Sequence, residues 1–424
     1  MSSLLENELT KIWLRQFTLG DQRLAEDLLK RFVFVSRDEF SSGLINLIIK
    51  KASLVNGPIG LYAERELNHR LGVPHKLFKE ERRKIKRAFG VGPTPVRPLN
   101  NSKPEVGSEA IVAQLVTQLC RESPEKFYSH PGPDKIRDKK IRALWIVTDF
   151  IGSGDRGYQY IESAWLVRSV RSWWSRKNID ISIVAYSSTS NGKSIIKSHN
   201  SKPRVFFVIP CPTISTEFDK EEAKRYYNLC EAYDPVRRNS NSPPWVHSSL
   251  GYGGTGALIA FAHGAPNNSP LIFHNTNRKK TWIPLFSSRV TSNVPLDTFG
   301  NSLSEERIHE KLKSLGQSAL AKSTVISNYN SNIQRSFLLL AALTKAPRKN
   351  EVVALRTGLS MLEISEACDE LFEFGWIDSQ RRLTDAGYRE LKAAKRSRTK
   401  FAVSEFDECI KSNYYPSQLR EPVR

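Results

Sequence analysis

Between Leu4 and Lys51, apolar residues recur at helical spacing: Leu5, Leu9, Ile12, Trp13 and Phe17, then Leu24, Leu28, Leu29 and Phe32, then Phe40, Leu44, Leu47 and Ile48. Three amphipathic helices are predicted there, with Asp21 and Ser36 ahead of the second and third as caps. Gly57-Pro58 breaks the pattern, after which Tyr62 to Leu71 and His75 to Phe89 read as two more helices. Gly90 to Lys103 reads as a loop, and Gly107-Ser108-Glu109 opens a helix that runs through Cys120. Beyond it, Leu144 to Val147, Ile179 to Ser187 and Val205 to Ile209 have the apolar or alternating pattern of strands. Helical spacing returns between them at Tyr158 to Ser172 and Ile195 to His199. This rhythm predicts a parallel α/β sheet with helices on its faces. Lys220 to Ala232 and Ser302 to Lys322 read as helices, and Asn239 to Trp245 as a loop.

The most informative stretch is Leu144 to Gly157, L-W-I-V-T-D-F-I-G-S-G-D-R-G, in which a strand ends on Asp149 and passes through Gly152, Ser153 and Gly154 into a helix. Backbone N–H groups at a helix N-terminus converge on an anion, and glycine lets the chain adopt the required loop. Asp149 beside such a loop can accept hydrogen bonds from sugar hydroxyls or hold Mg²⁺ through water; alternatively, it is a plain cap at a strand-to-helix turn.

The stretch resembles the ribose-phosphate loop of type I phosphoribosyltransferases, in which a strand runs into two acidic residues and then a small, Thr/Ser/Gly-rich loop. On that resemblance Thr148 and Asp149 occupy the acidic pair, and Ile151, Gly152, Ser153, Gly154, Asp155 and Arg156 the phosphate loop. Thr148 departs from the pattern by removing one carboxylate, and Arg156 stands where a threonine would end the loop. A wider resemblance is to the phosphoribosyltransferase-like domains of bacterial conflict systems, some of them linked to retrons. It is carried by A-E-R-E (Ala63 to Glu66), G-S-E-A (Gly107 to Ala110), H-P-G-P-D (His130 to Asp134), R-S-W-W-S (Arg171 to Ser175), Cys211-Pro212-Thr213, Gly251 to Gly256 and P-N-N-S-P (Pro266 to Pro270). It spans roughly Phe32 to Arg289.

The resemblance implies a diphosphate loop near Gly107 and Ser108, although Ser108 serves equally well as a helix cap. It also implies a hood over the ligand after the core. There the glycine cluster Gly251 to Gly256 is either a second phosphate loop or a segment packed closely over the sheet. Asn267, Asn268, His274, Trp282 and Phe286 have the chemistry to read or stack on a nucleobase, or else to fill a core.

Charge adds a class of partner. Lys and Arg outnumber Asp and Glu by 64 to 44, and a formal charge of +20 attracts polyanions such as nucleic acid or a nucleoprotein. Lys76, Lys79, Arg82, Arg83, Lys84, Lys86 and Arg87 concentrate part of it, as a solvated face or as a phosphate contact. The five cysteines lack C-x-x-C spacing, so no zinc site is suggested, and their odd count and internal placement fit reduced thiols better than a disulfide framework. The start, M-S-S-L-L-E, lacks the pattern of a signal peptide, and the longest apolar run, Phe337 to Leu343, is far short of the roughly 20 residues that cross a bilayer. A cytoplasmic location without membrane attachment is expected.

The C-terminal part changes character. Ile333 to Lys345, Asn350 to Arg356 and Ser360 to Phe374 read as helices, Trp376 to Asp378 and Arg382 to Thr384 as short strands, and Asp385 to Lys395 as a closing helix. The pattern resembles a winged helix-turn-helix. Its third helix carries Glu363, Glu366, Asp369, Glu370 and Glu373 without a Lys or Arg, which suits a protein contact better than a DNA groove. Arg381, Arg382 and the basic tail (Lys392, Lys395, Arg396, Arg398, Lys400) leave room for nucleic acid elsewhere.

The expected organisation is α/β: a helical N-terminal region (1–103), a parallel-sheet core of the type I phosphoribosyltransferase kind (104–300), a linker helix (301–326), a winged helix (327–396) and a basic tail (397–424). The expected function is a phosphoribosyltransferase-like effector of a bacterial antiphage system, in some form linked to a retron. It would bind phosphoribosyl pyrophosphate (PRPP) or a nucleotide-type ligand with Mg²⁺ and act at the anomeric carbon. Asp149 is the candidate catalytic and Mg²⁺-holding residue, and a reverse transcriptase with its RNA or DNA product and a second copy of the chain are candidate partners. A non-catalytic sensor or scaffold and a winged-helix regulator are the alternatives.

Overall fold

Among the described residues the chain forms eleven strands: β1 (Val33–Val35), β2 (Ile59–Ala63), β3 (His69–Arg70), β4 (Val73–Pro74), β5 (Lys79–Glu80), β6 (Ala88–Phe89), β7 (Phe127–Ser129), β8 (Ala143–Ile151), β9 (Asp180–Ser188), β10 (Arg204–Pro210) and β11 (Ile259–Phe261). This computed structural model describes residues 2–82, 86–95, 108–236, 248–277, 279, 281–295, 298–299, 305–323 and 331–396. The chain divides into two compact units, 1–302 together with 358–363, and 303–357 together with 364–424.

In the first unit, five strands pair in parallel in the order β10-β9-β8-β2-β7. Strand β8 shows why they do so. Its Ala143, Trp145 and Val147 enter one apolar core, and Leu144, Ile146 and Ile151 enter the core on the opposite face. A strand buried on both sides reads as a continuous apolar run, as parallel strands between helix layers do. Helices Arg37–Ala52 and Ser108–Glu122 supply the first core, while Asp155–Trp165 and Ser190–Lys197 supply the second.

The strand order has a consequence for the site. From β8 the chain proceeds outward through β9 and β10, whereas β2 lies on the other side of β8 and leads toward β7. The direction of winding therefore reverses between β2 and β8, and a crevice opens at the carboxyl ends of strands at such a point.

Two predicted helices are absent. Tyr62 to Leu71 and His75 to Phe89 contain instead the end of β2 and the short antiparallel pairs β3-β4 and β5-β6. Leu71 and Gly72 adopt φ of 52° and 77°, the paired positive values of a tight hairpin turn, so helical periodicity lost to turn geometry. Ile59 to Ala63 is wholly buried, and a short run of that kind carries no periodicity that distinguishes strand from helix.

Near the N-terminus the helices are Ser2–Glu6, Glu8–Leu14, Leu19–Lys30 and Arg37–Ala52. Ser36 forms a capping box with Glu39, but Thr18 rather than Asp21 holds the N-cap position of Leu19–Lys30. Strand β1 pairs with β11, joining the chain's start to the segment after the sheet. Trp13 stacks on Phe273 at 4.9 Å and donates its indole N–H to the Ile272 carbonyl at 2.9 Å. These apolar partners make one core from residues far apart in sequence.

In the C-terminal part, helices Ser331–Leu343, Asn350–Thr357 and Met361–Glu373, the last beginning within 358–363, precede a turn at Arg381 and the closing helix Asp385–Arg396. The two expected strands reduce to a bridge between Ile377 and Leu383, with Thr384 N–H donating to the Trp376 carbonyl at 3.0 Å. Glu366, Asp369, Glu370 and Glu373 are exposed on the third helix. Among the described residues, no helix is long and apolar enough to cross a membrane.

Candidate functional site

The predicted loop lies at the carboxyl edge of the sheet. Strand β8 ends at Ile151, Gly152 and Ser153 turn the chain, and Gly154 (φ 88°) holds the N-cap position of helix Asp155–Trp165 in the left-handed region that glycine adopts without strain. No side chain caps this helix from the N-cap position, although Ser153 Oγ accepts from Asp155 N–H at 3.3 Å and donates to Asp155 Oδ2 at 2.9 Å. Thr189, at the end of β9, braces the loop. Its hydroxyl donates to the Gly152 carbonyl at 2.6 Å and accepts from Gly192 N–H at 2.9 Å. The loop tolerates no added methyl: a Cβ on Gly152 would lie 2.2 Å from Asn268 Oδ1, and one on Gly154 2.6 Å from the Gly192 carbonyl.

Asp149 is largely buried and faces the crevice. Its Oδ1 accepts from Phe150 N–H at 2.8 Å, and its Oδ2 lies 3.5 Å from His263 Nε2, which is buried with no hydrogen-bond partner among the described residues. Burial alone would raise the carboxyl's pKa. The His263 ring, the Arg156 guanidinium and the Ser108 hydroxyl outweigh that and hold it down to about 2, so Asp149 is ionised at neutral pH.

Ser108, in the first turn of helix Ser108–Glu122, thereby comes near Asp149 and helps to lower its pKa. Gly107 lies outside the described residues. Ile151 contributes through its backbone alone: its side chain is in the core, and its carbonyl accepts from Thr189 N–H at 2.9 Å.

Thr148 acquires a partner that spacing along the chain does not show. Parallel register sets Ala63 of β2 against Val147, which brings the next residue, Glu64, beside Thr148. Thr148 Oγ1 donates to Glu64 Oε2 at 2.7 Å and lies 3.3 Å from Asp149 Oδ1. A second, buried carboxylate is therefore brought beside the strand end from the neighbouring strand, linked to Asp149 through the threonine. Burial pushes the Glu64 carboxyl up, against the pull of Arg156 and the Thr148 hydroxyl.

Arg156 sits 3.8 Å from Glu64 Oε2 and 3.3 Å from Glu109 Oε1. Glu64, the strongest influence, raises the guanidinium's pKa. Burial lifts Glu109 in turn, with Arg156 opposing.

Sequence reasoning did not assign roles to Glu64, Glu109, Thr189 or His263. The available signal was the charged A-E-R-E run directly after an apolar stretch.

The second glycine cluster packs over the first. A Cβ on Gly253 would lie 2.9 Å from Ser153 Cβ, and Asn268 Nδ2 donates to the Tyr252 carbonyl at 2.9 Å beside Gly152. This is the close-packing alternative for Gly251 to Gly256. Tyr252, partly exposed here, has its hydroxyl raised by burial and by Asp155. His274, Phe286 and much of Trp282 fill the hood's own core, with His274 Nε2 3.0 Å from the Ser269 carbonyl.

Among the described residues, no group of three or more His, Cys, Asp or Glu side chains converges as a metal site. The donor set fits a hard cation that takes most of its ligands from water and a bound diphosphate, with Asp149 as the ionised oxygen contributed by the protein.

Comparison with known proteins identifies both parts of the chain. The family model described as PRTase-CE matches residues 10–287, and the one described as wHTH-PRTase associated matches residues 337–421. No curated protein and no solved structure matches.

Proposed function

Because the chain belongs to the PRTase-CE family, we propose that its core binds the ribose 5-phosphate group of PRPP or a related nucleotide-type ligand and acts at the anomeric carbon. The observation that carries the reading is the pairing of a glycine-bent helix N-terminus with an ionised, largely buried carboxylate at the winding-reversal point of the sheet. The 5′-phosphate would sit on the N–H groups of Gly152 to Arg156. Asp149 would accept from ribose hydroxyls, held in orientation by His263 and Ser108.

Mg²⁺ would bind the diphosphate and reach Asp149 through water, supplying charge neutralisation for the leaving group. In transfer, the bond from C1′ to the diphosphate oxygen breaks and the bonding pair leaves with the diphosphate. The bond from C1′ to the acceptor forms, and the acceptor's proton passes to solvent. Glu64 stands in, through Thr148, for the carboxylate that the strand end lacks.

A second reading, a sensor that binds without turnover, draws on Thr148 and on Arg156, whose guanidinium already lies between Glu64 and Glu109. The antiphage setting, a retron-linked reverse transcriptase and its nucleic-acid product as partners, and self-association belong to the proposal by family resemblance. The exposed acids of the third helix in the winged-helix unit favour a protein contact over groove reading.

Isothermal titration of the full chain with PRPP and Mg²⁺ tests the assignment. Wild type is expected to give a saturable heat that Asp149→Ala weakens by roughly tenfold or more, the scale of a lost hydrogen bond to a charged group. Equal heats, or none in either protein, would overturn it. Turnover of labelled PRPP separates transferase from sensor.

A further inference from the structure

Beside the crevice, a cavity of about 410 Å³ opens between the end of β2 and the two short antiparallel pairs, and the functional reading above does not use it. Its chemistry is two-sided. Leu67 and Phe78 give it an apolar wall, and Arg65, His75, Lys76 and Lys79 bring basic nitrogens to its rim.

Arg65 also lines this space, and its Nη1 donates to Thr94 Oγ1 at 3.4 Å. Lys76 is anchored, 2.5 Å from Glu80 Oε2, whose other oxygen accepts from Arg168 N–H at 2.7 Å. Lys79 is exposed at the rim. Lys76 and Lys79, the first cations of a basic run expected on one helix face, thus stand at the margin of a concave site instead.

The cavity also borders the proposed transfer site. Glu66 lines it and donates its N–H to Glu109 Oε1 at 3.2 Å, the same oxygen that pairs with Arg156. Leu77 N–H, from the opposite wall, donates to the Ser163 carbonyl in the helix that follows the glycine loop.

We infer that this cavity binds a nucleotide, with its base against Leu67 and Phe78 and its phosphate on Lys79 and Arg65. An apolar wall with a few convergent cations, in a volume within the range of small-molecule sites, is the arrangement such a ligand needs. That the nucleotide is the acceptor of the ribosyl group rests on the functional reading above; that it binds here does not. Its source is a free nucleoside monophosphate or the 5′-phosphorylated end of a single strand, which present the same chemistry.

The test is equilibrium binding to the full chain of the four nucleoside 5′-monophosphates, one at a time, and of a short 5′-phosphorylated single-stranded oligonucleotide. Wild type, Lys79→Glu and Asp149→Ala are compared. At least one probe is expected to bind wild type and to weaken by roughly tenfold or more in Lys79→Glu, because a carboxylate then faces the phosphate. PRPP affinity should stay unchanged in that variant.

In Asp149→Ala the nucleotide should bind as in wild type while PRPP binding weakens by roughly tenfold or more. Nucleotide binding without any PRPP binding would sink the sugar-phosphate reading and leave the cavity assignment standing. Absence of binding by every probe, or binding indifferent to Lys79→Glu, would overturn the cavity assignment.

Discussion

Replacing Asp149 by asparagine keeps the shape of the side chain and removes its charge, so its effect on stability measures how strongly the folded site favours the carboxylate. The folded pKa is about 2 against an ordinary value of 3.8. That difference corresponds to about 2 kcal/mol favouring the folded state. The sign follows from proton linkage. A carboxyl whose pKa is depressed on folding contributes stability that is fully present above the unfolded value and is lost as pH falls through the folded one.

Asp149→Asn should therefore lower the stability of the first unit by about 2 kcal/mol at pH 7, with the gap to wild type closing to roughly 1 kcal/mol near pH 3. The loss arises because His263, Arg156 and Ser108 then face a neutral amide. Hydrogen exchange of peptides from β8 across a urea series reads this unit without interference from the winged-helix unit. An unchanged stability at pH 7, or a gap that stays constant between pH 7 and pH 3, would refute the charge network described for this carboxylate.

Two further predictions follow from the neighbouring geometry. Glu64 has the opposite sign: burial raises its pKa, so its contribution opposes folding as pH rises above the ordinary carboxylate range. Glu64→Gln should flatten that part of the pH profile in the same exchange measurement, and a steeper decline at neutral pH would contradict it. Gly152→Ala places a methyl 2.2 Å from Asn268 Oδ1 and must displace that amide from Tyr252 and Thr255, so PRPP affinity by calorimetry should fall by roughly tenfold or more, as for other misplaced binding groups. Full affinity in that variant would show that the hood contact does not shape the loop.

The amino-acid sequence by itself determined the local elements with strong periodicity or unambiguous turn chemistry. The parallel strands around Trp145, Ile183 and Phe207, the glycine loop after Ile151 and the helices of the winged-helix unit were all legible, because alternation, helical spacing and glycine act over a few residues. Helical spacing misled where Leu71-Gly72 turned the chain into a hairpin, since a left-handed turn overrides periodicity.

Tertiary structure alone decided what the loop faces. Glu64 and Thr148 are 84 positions apart, and only the register of β2 against β8 joins them. His263 and Asn268 reach the crevice because β1 pairs with β11 and folds the later segment over the sheet. Residues that meet across strands share no signal along the chain. The absence of a second acid at Thr148 was thus readable from the chain, whereas the hydrogen bond from Thr148 to Glu64 was not.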